Sequence, residues 1–337
     1  MRFSEVELTS IAAIDAPHRV TSAELETRLE PHLRRLGFAK GVIASLSGVN
    51  ERRFWDEGAQ PSEVAARAGD AALRRAGIPK SAIGALVSTS VCRDFVEPST
   101  ACLVHGALEL SPECVNYDLS NACLGFINGM DLVARMIERG EIDHGMVVDG
   151  EGSRHVVERT IERLNASGDA RAFAESFATL TLGSGSAAVI LSRKGLVSGG
   201  HRYVGSVSLA ATEHRNLCRG KEDWMVTDGQ KLLAAGLELA RRTFARAEGA
   251  LDWTSDALSE VVIHQVSRAH TEKLAATLGI DPRKIHAIYP DRGNVGPASV
   301  PMVLAEAEAL GRLHPGGRVG LLGIGSGLNC TMAEIVW

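Results

Sequence analysis

The amino-acid sequence predicts an α/β fold built from two similar halves. Short runs rich in β-branched and aliphatic residues alternate with longer segments whose apolar residues recur at helical spacing. With 337 residues, the chain is long enough for two domains or for one large domain made of two halves. The predicted strands span residues 83–91, 114–118, 146–149, 187–191, 261–266, 285–289, 319–322 and 332–336.

A weak internal repeat supports the prediction of two halves. Tyr117 and Met130 flank one predicted turn, and Tyr289 and Met302 flank a second turn 172 positions later. The order of the strands around these turns is the same in both parts of the chain. Because a preserved order of this kind is typical of a duplicated unit, we expect the two halves to pack about a pseudo-twofold axis.

The stretch Lys194–Gly200, which contains three glycines, is the best candidate for the junction between the halves. It divides the chain into an N-terminal half, residues 1–195, and a C-terminal half, residues 196–337. No low-complexity segment or long run of charges interrupts either half. Each half is therefore expected to contain its own alternating strands and helices.

Composition and charge exclude several classes of protein. The formal net charge of −5 gives no electrostatic reason to expect nucleic-acid binding. No uninterrupted apolar run is long enough to span a bilayer, and the N-terminal segment lacks the apolar core of a secretion signal. The six cysteines show neither C-x-x-C pairs nor the Cys/His spacing of a metal site. We therefore expect a cytoplasmic protein with free thiols and no bound metal.

Cys123 stands between a predicted strand that ends at Asp118 and an apolar helix that ends near Gly140. It would lie in the first turn of this helix, where unpaired backbone amides and the helix dipole favour a negative charge. A thiol in such a position can lose its proton near neutral pH, and the thiolate is the nucleophile. A free cysteine is otherwise more often an inert core residue, so the other half of the chain has to support this interpretation.

Three signals in the second half support it. His264 ends an apolar strand, where polar side chains tend to emerge into a cleft. Asn294 lies in a glycine-flanked turn. The shift of 172 positions that relates the two halves places the equivalent of Cys123 one residue after Asn294. The stretch Gly323–Gly327 predicts a turn whose backbone can approach a ligand and present amides. Singly, the histidine could be a satisfied strand-end residue and the asparagine a left-handed turn residue.

Cys123, His264 and Asn294, in this order and these contexts, resemble the catalytic residues of the thiolase superfamily, specifically its condensing branch with 3-ketoacyl-ACP synthase III. Within this branch the chain is most similar to the OleA family of head-to-head hydrocarbon biosynthesis. The resemblance covers nearly the whole chain and implies a duplicated, five-layered αβαβα thiolase-type fold. The stretches that carry it are Ile14–His18, Arg93–Thr100, Asn121–Asp131, Leu217–Gly220 and Leu321–Cys330.

This resemblance implies a Claisen condensation of two long-chain fatty acyl-CoAs without decarboxylation. Cys123 would take one acyl group from coenzyme A as a thioester. Backbone amides of Cys123 and of Gly325, Ser326 and Gly327 would hold the oxyanion, and His264 and Asn294 would stabilise the enolate of the second thioester. The product would be a 2-alkyl-3-keto acid, and no cofactor besides the coenzyme A thioesters is implied. Partner enzymes could take this product onward to a hydrocarbon or a β-lactone.

Removal of the α-proton needs a base, and the resemblance assigns this role to Glu97, carried by a loop that reaches into the neighbouring subunit of a homodimer. From Cys92 to Tyr117 the first half has three more residues than the matching segment of the second half, which allows a longer loop. Burial against acyl chains would strengthen this carboxylate as a base. Alternatively, Glu97 only complements the dipole of a helix opening at Pro98–Thr100. A synthase III that uses malonyl-ACP needs no such base and is the alternative function.

Coenzyme A contacts are predicted at two places. In Arg52-Arg53-Phe-Trp55, arginines could bind phosphate and the tryptophan could stack on adenine. The alternative is a solvated basic pair beside a buried tryptophan. Arg219, with Lys221, is a second candidate.

Two glycine-rich segments do not fit the protein classes that such segments often indicate. The segment Gly323–Leu328 fails the spacing of a dinucleotide-binding fingerprint, and Gly183–Ala187 does not fit a serine hydrolase elbow. A non-catalytic scaffold with this fold is the remaining alternative. We expect His270 to be a helix surface residue and Cys330 to be structural, because degradative thiolases carry their second catalytic cysteine before the glycine turn.

Overall fold

The computed structural model describes residues 1–167 and 169–337. The strands are β1 (Val6–Asp15), β2 (His18–Thr21), β3 (Glu51–Phe54), β4 (Ile83–Ser88), β5 (Val115–Asp118), β6 (His144–Glu151), β7 (Gly185–Arg193), β8 (His201–Ala210), β9 (Cys218–Lys221), β10 (Trp224–Thr227), β11 (Glu260–Ile263), β12 (Arg318–Gly325) and β13 (Asn329–Val336). The helices are α1 (Ser22–Arg28), α2 (Glu30–Arg35), α3 (Val42–Ser47), α4 (Pro61–Ala76), α5 (Thr100–Leu108), α6 (Gly125–Glu138), α7 (Arg154–Ser167), α8 (Ala170–Ser176), α9 (Gly229–Leu251), α10 (Arg268–Leu278), α11 (Tyr289–Arg292) and α12 (Ser299–Ala309).

In the described part of the chain, nine strands form one large sheet that consists of two parts. The order is β11-β12-β13-β8-β1-β7-β6-β4-β5. Strand β4 pairs in parallel with β5 and β6, β11 pairs in parallel with β12, and the other neighbours are antiparallel. The two parts meet where β1 pairs with β8 over only two residue pairs, Glu7 with Arg202 and Leu8 with His201. One part therefore comes from each half of the chain, apart from this short seam.

Three groups of helices cover the two parts of the sheet in five αβαβα layers. Helices α6 and α12 share one apolar core with strands of both parts, so they fill the centre of the molecule. Helices α4 and α5 pack on the outer face of the first part, and α9 and α10 pack on the outer face of the second. Alternate residues of a strand lie on opposite faces of the sheet. Val147 of β6 packs in the central core, while Met146 and Val148 pack in the core between the sheet and the outer helices. The predicted fold class is confirmed.

Helix α6 shows why the sequence pattern predicted it correctly. Its residues Phe126, Met130, Val133 and Ile137 recur every three or four positions, and all are buried in the central core. The helix ends at Glu138, and Gly140 follows with a left-handed φ of 75°. The prediction of this helix from Phe126 to the glycine is confirmed.

The strand predicted at residues 285–289 is wrong. Residues 285–288 form no strand, and α11 begins at Tyr289. The side chain of Gln265 replaces a neighbouring strand here, because its Oε1 accepts hydrogen bonds from the amides of Ile288 and Tyr289, at 2.8 and 3.1 Å. Its Nε2 donates to the carbonyl oxygen of His286 at 2.6 Å. An apolar run can thus satisfy its backbone without a strand partner, which periodicity alone does not reveal.

Other strand boundaries also differ from the prediction. Strand β4 ends at Ser88 instead of residue 91, and β11 ends at Ile263 instead of residue 266. The long strands β1 and β8 were not predicted, because small and polar residues interrupt their apolar pattern. Within the described residues, none of the helices combines the length and the apolar character that crossing a bilayer requires.

Candidate active site

Cys123 lies in the turn between β5 and α6, two residues before α6 begins. Because β4, β5 and β6 run parallel, the loops at their carboxyl ends meet at one edge of the sheet, where α/β proteins usually bind ligands. The turn is pressed against the end of β4, since a Cβ atom at Gly125 would lie 2.9 Å from the carbonyl oxygen of Thr89. Ala122 adopts a left-handed φ of 47°. Cys123 is half-buried, so the turn holds it at this edge without sealing it inside the protein.

The glycine turn of the C-terminal half lies directly against this cysteine turn. A Cβ atom at Gly325 would lie 2.7 Å from the carbonyl oxygen of Asn121, so only glycine fits here. The Nδ2 of Asn329 donates a hydrogen bond to the Oδ1 of Asn121 at 3.1 Å. Asn121 in turn donates to Asn128 at 2.7 Å, and Asn128 donates to Thr331 at 3.2 Å. This chain of side chains joins the cysteine turn to β13, beside the turn predicted to supply oxyanion amides.

His264 follows β11 and reaches the same edge. Its backbone amide donates to the carbonyl oxygen of Leu322 at 2.8 Å, three residues before the glycine turn begins at Gly325. The residue is only 4% exposed, and its Nδ1 is buried without a hydrogen-bond partner among the described residues. Burial, together with the nearby His270, lowers the pKa of His264 to about 3. The imidazole is therefore neutral at pH 7 and has an N–H to donate.

Asn294 lies in the turn that precedes α12, just as Cys123 lies in the turn that precedes α6. Its backbone is fixed on both sides, because its amide donates to Thr181 and its carbonyl oxygen accepts from Gly183, both at 2.9 Å. Its Oδ1 accepts a hydrogen bond from the amide of Gly296 at 3.0 Å. The Nδ2 group is thus the end of this carboxamide that remains to donate to a ligand. The structure brings both helix starts of the repeat into the central layer.

The prediction that His270 is a surface residue is wrong. Its ring lies 6.4 Å from the ring of His264, between centroids, and its Nδ1 is buried without a partner in the described part of the chain. Burial lowers the pKa of His270 to about 4. The side chain of Ser267 caps the start of α10 and so directs the first turn of this helix, with His270, toward the strand end.

These two histidines predict a loss of stability in acid. In the unfolded chain a histidine binds a proton near pH 6.5, whereas in the folded protein His264 and His270 do so only near pH 3 and 4. Stability should therefore fall as the pH drops below 6.5, by about 2 kcal/mol for each histidine at pH 5. Thermal melting between pH 7 and 5 should show a smaller decline for His270→Gln than for the wild type. The exposed His155→Gln should decline like the wild type, and equal slopes in all three would contradict the prediction.

Cys123 differs from its expectation in one respect. It lies outside α6 and not in its first turn, and burial raises the pKa of its thiol to about 12, with Cys218 and Glu151 adding to the effect. The expectation of a thiol that ionises near neutral pH is therefore wrong for the protein without a ligand. The cause is that removal of the thiolate from water outweighs the attraction of the helix start.

Glu97 lies in the loop between β4 and α5, and its side chain is exposed. The neighbouring apolar residues of this loop project into solvent, with Phe95 58% and Val96 95% exposed. Helix α5 does not need Glu97 as a cap, because Ser99 accepts from the amide of Cys102 at 3.1 Å and Asp118 accepts from two further amides of the first turn. A role as a partner for the helix dipole therefore has little support.

Comparison with known proteins agrees with this architecture. Models of 3-oxoacyl-[acyl-carrier-protein] synthase III and of its C-terminal part match residues 117–211 and 249–337. A Xanthomonas campestris protein described as an acyl-CoA:acyl-CoA alkyltransferase is 49% identical over the full length of both chains, and one from Shewanella oneidensis is 39% identical over both. The crystal structure of cerulenin-bound Xanthomonas campestris OleA matches with a TM-score of 0.98 at 49% identity, covering 100% of this chain and 98% of that one. The chain belongs to the OleA family.

The structure corrects the coenzyme A contacts that were predicted from the sequence of this OleA family member. Arg52 is completely buried, and its guanidinium donates to the carbonyl oxygen of Leu180 at 2.9 Å. Trp55 is also buried, with its Nε1 donating to the backbone of Glu151. Neither side chain can reach a ligand at the surface, so the prediction is wrong for both. Arg53 is partly exposed beside Glu51, and Arg219 is exposed on β9.

Two acidic residues at this edge were missed by sequence reasoning. Asp149 and Glu151 lie in β6, are almost completely buried and have no ion-pair partner among the described residues. The signal was available, because two carboxylates interrupt the apolar run Met146–Val148 just where the strand meets the edge. Cys330, by contrast, is buried in the outer core of the second part, as expected for a structural residue.

Proposed function

We propose that this protein condenses two long-chain fatty acyl-CoAs, without decarboxylation, to a 2-alkyl-3-keto acid. One observation carries this proposal: an accessible cysteine turn is held against a glycine turn of the opposite half. A neutral histidine, His264, is hydrogen-bonded through its backbone to the strand that leads into this glycine turn. In addition, the chain is 49% identical over its full length to an acyl-CoA:acyl-CoA alkyltransferase. The reaction is proposed to take place in the cytoplasm and to need no cofactor besides its coenzyme A thioester substrates.

In the first step Cys123 attacks the carbonyl carbon of one acyl-CoA. The raised pKa of the thiol means that its proton leaves during the attack, and this proton ends on the departing sulfur of coenzyme A. Backbone amides of Cys123 and of the turn Gly325–Gly327 donate to the oxyanion of the tetrahedral intermediate. The products of this step are an acyl-cysteine thioester and free coenzyme A.

In the second step the other acyl-CoA becomes an enolate. Glu97 takes the α-proton, while His264 and the Nδ2 of Asn294 donate hydrogen bonds to the thioester oxygen as negative charge develops on it. The depressed pKa of His264 suits this role, because the neutral imidazole keeps one N–H that can donate a hydrogen bond but is too weakly acidic to protonate the enolate. The enolate carbon then attacks the acyl-cysteine, and the Cys123 thiolate leaves and is reprotonated by the proton that Glu97 took. Water then hydrolyses the remaining thioester to the keto acid and free coenzyme A.

Glu97 is proposed to act in the active site of the neighbouring subunit of a homodimer. Its loop carries apolar residues that project into solvent, and the adjacent edge strand β5 exposes Val115 and Tyr117, as a surface covered by a second copy would. Crystal structures of Xanthomonas campestris OleA include variants of one glutamate, one cysteine and one histidine. Those residues are separated by 26 and 142 positions, against 26 and 141 for Glu97, Cys123 and His264.

The second candidate function is that of a 3-ketoacyl-ACP synthase III with malonyl-ACP as the donor. The matched family models favour it, as do β-ketoacyl-ACP synthase III relatives such as that of Rhodospirillum rubrum. That relative is only 26% identical over 94% of this chain, so the comparison supports it less. It would also leave Glu97 without a role.

Purified protein incubated with myristoyl-CoA alone distinguishes the two functions. We expect release of free coenzyme A and formation of a long-chain ketone, after spontaneous loss of carbon dioxide from the keto acid. Addition of malonyl-ACP should leave the rate of ketone formation unchanged. Strict dependence of carbon–carbon bond formation on malonyl-ACP would reject the proposed function and support the alternative.

A further inference from the structure

The carboxyl group of Glu151 lies between two segments that carry proposed catalytic residues. It is the last residue of β6 and only 6% exposed, and the Nε1 of Trp55 donates to its backbone oxygen at 2.9 Å. Burial raises the pKa of Glu151 to about 7, and the fully buried Asp149 of the same strand has its pKa raised well above the ordinary value by burial and by Glu151. Burial of a carboxyl group that has no ion-pair partner among the described residues is costly for the fold, so it needs an explanation.

On one side, Glu151 holds the base of the loop that carries Glu97. Its Oε1 accepts a hydrogen bond from the backbone amide of Val91 at 2.6 Å. Val91 is the third residue after β4, and Glu97 follows six residues later in the same loop. The tip of the loop is exposed, as Val96 shows, so this bond fixes the loop at its root.

On the other side, Glu151 packs against the turn that carries Asn294. A Cβ atom at Gly296 would lie 3.5 Å from the carboxyl carbon of Glu151, so the backbone of this turn passes directly over the carboxyl group. The amide of Gly296 donates to the Oδ1 of Asn294 and thereby sets the direction of its carboxamide. A single side chain therefore contacts the supports of two groups that the second step requires.

We infer that Glu151 is a positioning residue for the condensation step, which fixes the loop of Glu97 relative to the turn of Asn294. This inference rests on the proposed function. Acylation of Cys123 needs the cysteine turn and the glycine turn, neither of which Glu151 holds by a hydrogen bond. Loss of the Glu151 carboxyl group should therefore slow condensation more than acylation.

Three substitutions separate the effect of the length of the Glu151 side chain from the effect of its ability to ionise. Glu151→Ala removes the acceptor of the Val91 amide, Glu151→Asp keeps a carboxyl group but shortens the reach, and Glu151→Gln keeps an acceptor oxygen in place but cannot ionise. Glu26 offers a matched control, because it is equally buried and accepts from the amides of Gly41 and Ile43 in another part of the fold. Glu26→Ala thus removes a similar loop anchor away from the site.

Each variant should be measured in two assays with myristoyl-CoA: single-turnover acylation of Cys123 by intact mass, and steady-state ketone formation. For Glu151→Ala we expect acylation no slower than that of the wild type, because Glu151 adds to the raised pKa of the Cys123 thiol. Condensation should be slower by about 10- to 100-fold. Glu151→Gln should restore condensation to within about threefold, ahead of Glu151→Asp. Glu26→Ala should lower the melting temperature without changing the ratio of the two rates.

The inference is overturned if folded Glu151→Ala condenses at the wild-type rate, or if it loses acylation and condensation to the same extent. It is also overturned if Glu151→Asp is faster than Glu151→Gln, since charge and not reach would then decide the rate. If Glu151→Ala does not fold, this order of the Gln and Asp variants decides alone. Absence of ketone from the wild type would instead reject the proposed function, whatever the variants do.

Discussion

Replacement of Cys123 by alanine should abolish both release of coenzyme A and formation of ketone from myristoyl-CoA. In the proposed mechanism both steps pass through the acyl-cysteine, and no other thiol of the cysteine turn can replace Cys123. Loss of a covalent nucleophile commonly lowers turnover by about 10³- to 10⁶-fold. Intact mass spectrometry should show one acyl group on the wild type and none on Cys123→Ala.

The matched control is Cys102→Ala, because Cys102 is an exposed free thiol on α5. This variant should keep wild-type acylation and turnover. An acyl group that remains on Cys123→Ala, or turnover above a trace level, would show that the nucleophile lies elsewhere. The fold itself should tolerate the change, since Cys123 is half-buried in a turn and makes no hydrogen bond through its sulfur within the described residues.

Glu97→Ala should acylate Cys123 at the normal rate and yet fail to condense. Acyl transfer to the cysteine breaks no carbon–hydrogen bond and so needs no base at this position. The second step cannot begin until a base removes the α-proton. We expect ketone formation to fall by about 10²- to 10⁴-fold, the usual contribution of a general base. Surface variant Glu57→Ala should behave like the wild type in both assays. Full turnover of Glu97→Ala would exclude this residue as the base.

Mixed dimers test whether Glu97 acts across the subunit interface. Glu97→Ala and Cys123→Ala subunits are each inactive alone, but a mixed dimer would contain one site with Cys123 from one subunit and Glu97 from its partner. Random exchange of equal amounts should therefore restore about a quarter of the wild-type activity. If Glu97 serves its own subunit, no site in the mixture is complete and the activity stays at the level of the single variants.

Much of the fold could be predicted because its signals are local. The spacing of Phe126, Met130 and Ile137 fixed the position of the central helix, and the apolar runs located strands such as β6, β7 and β12. The strand predicted at residues 285–289 failed because the satisfaction of its backbone depends on Gln265, a residue distant in sequence. Local patterns cannot report such a contact.

The residues proposed for the site could be chosen from the sequence, but their electrostatics could not be predicted from it. Cys123, His264 and Asn294 could be chosen from their contexts, whereas the burial that raises the pKa of Cys123 and lowers that of His264 arises only after both halves have packed. The interior position of Arg52 was equally hidden, since a basic pair in sequence is usually solvated. The role of Glu151 depends on two loops that meet only in the folded chain.

The side-chain link from Asn121 to Asn329 spans 208 positions of the chain. During synthesis, the ribosome must therefore add more than two hundred residues after the cysteine turn before that turn acquires its partner. Until β13 emerges and inserts between β8 and β12, a nascent chain has the sulfur but lacks the glycine turn beside it. Partly made chains should consequently be unable to consume acyl thioesters in the cell.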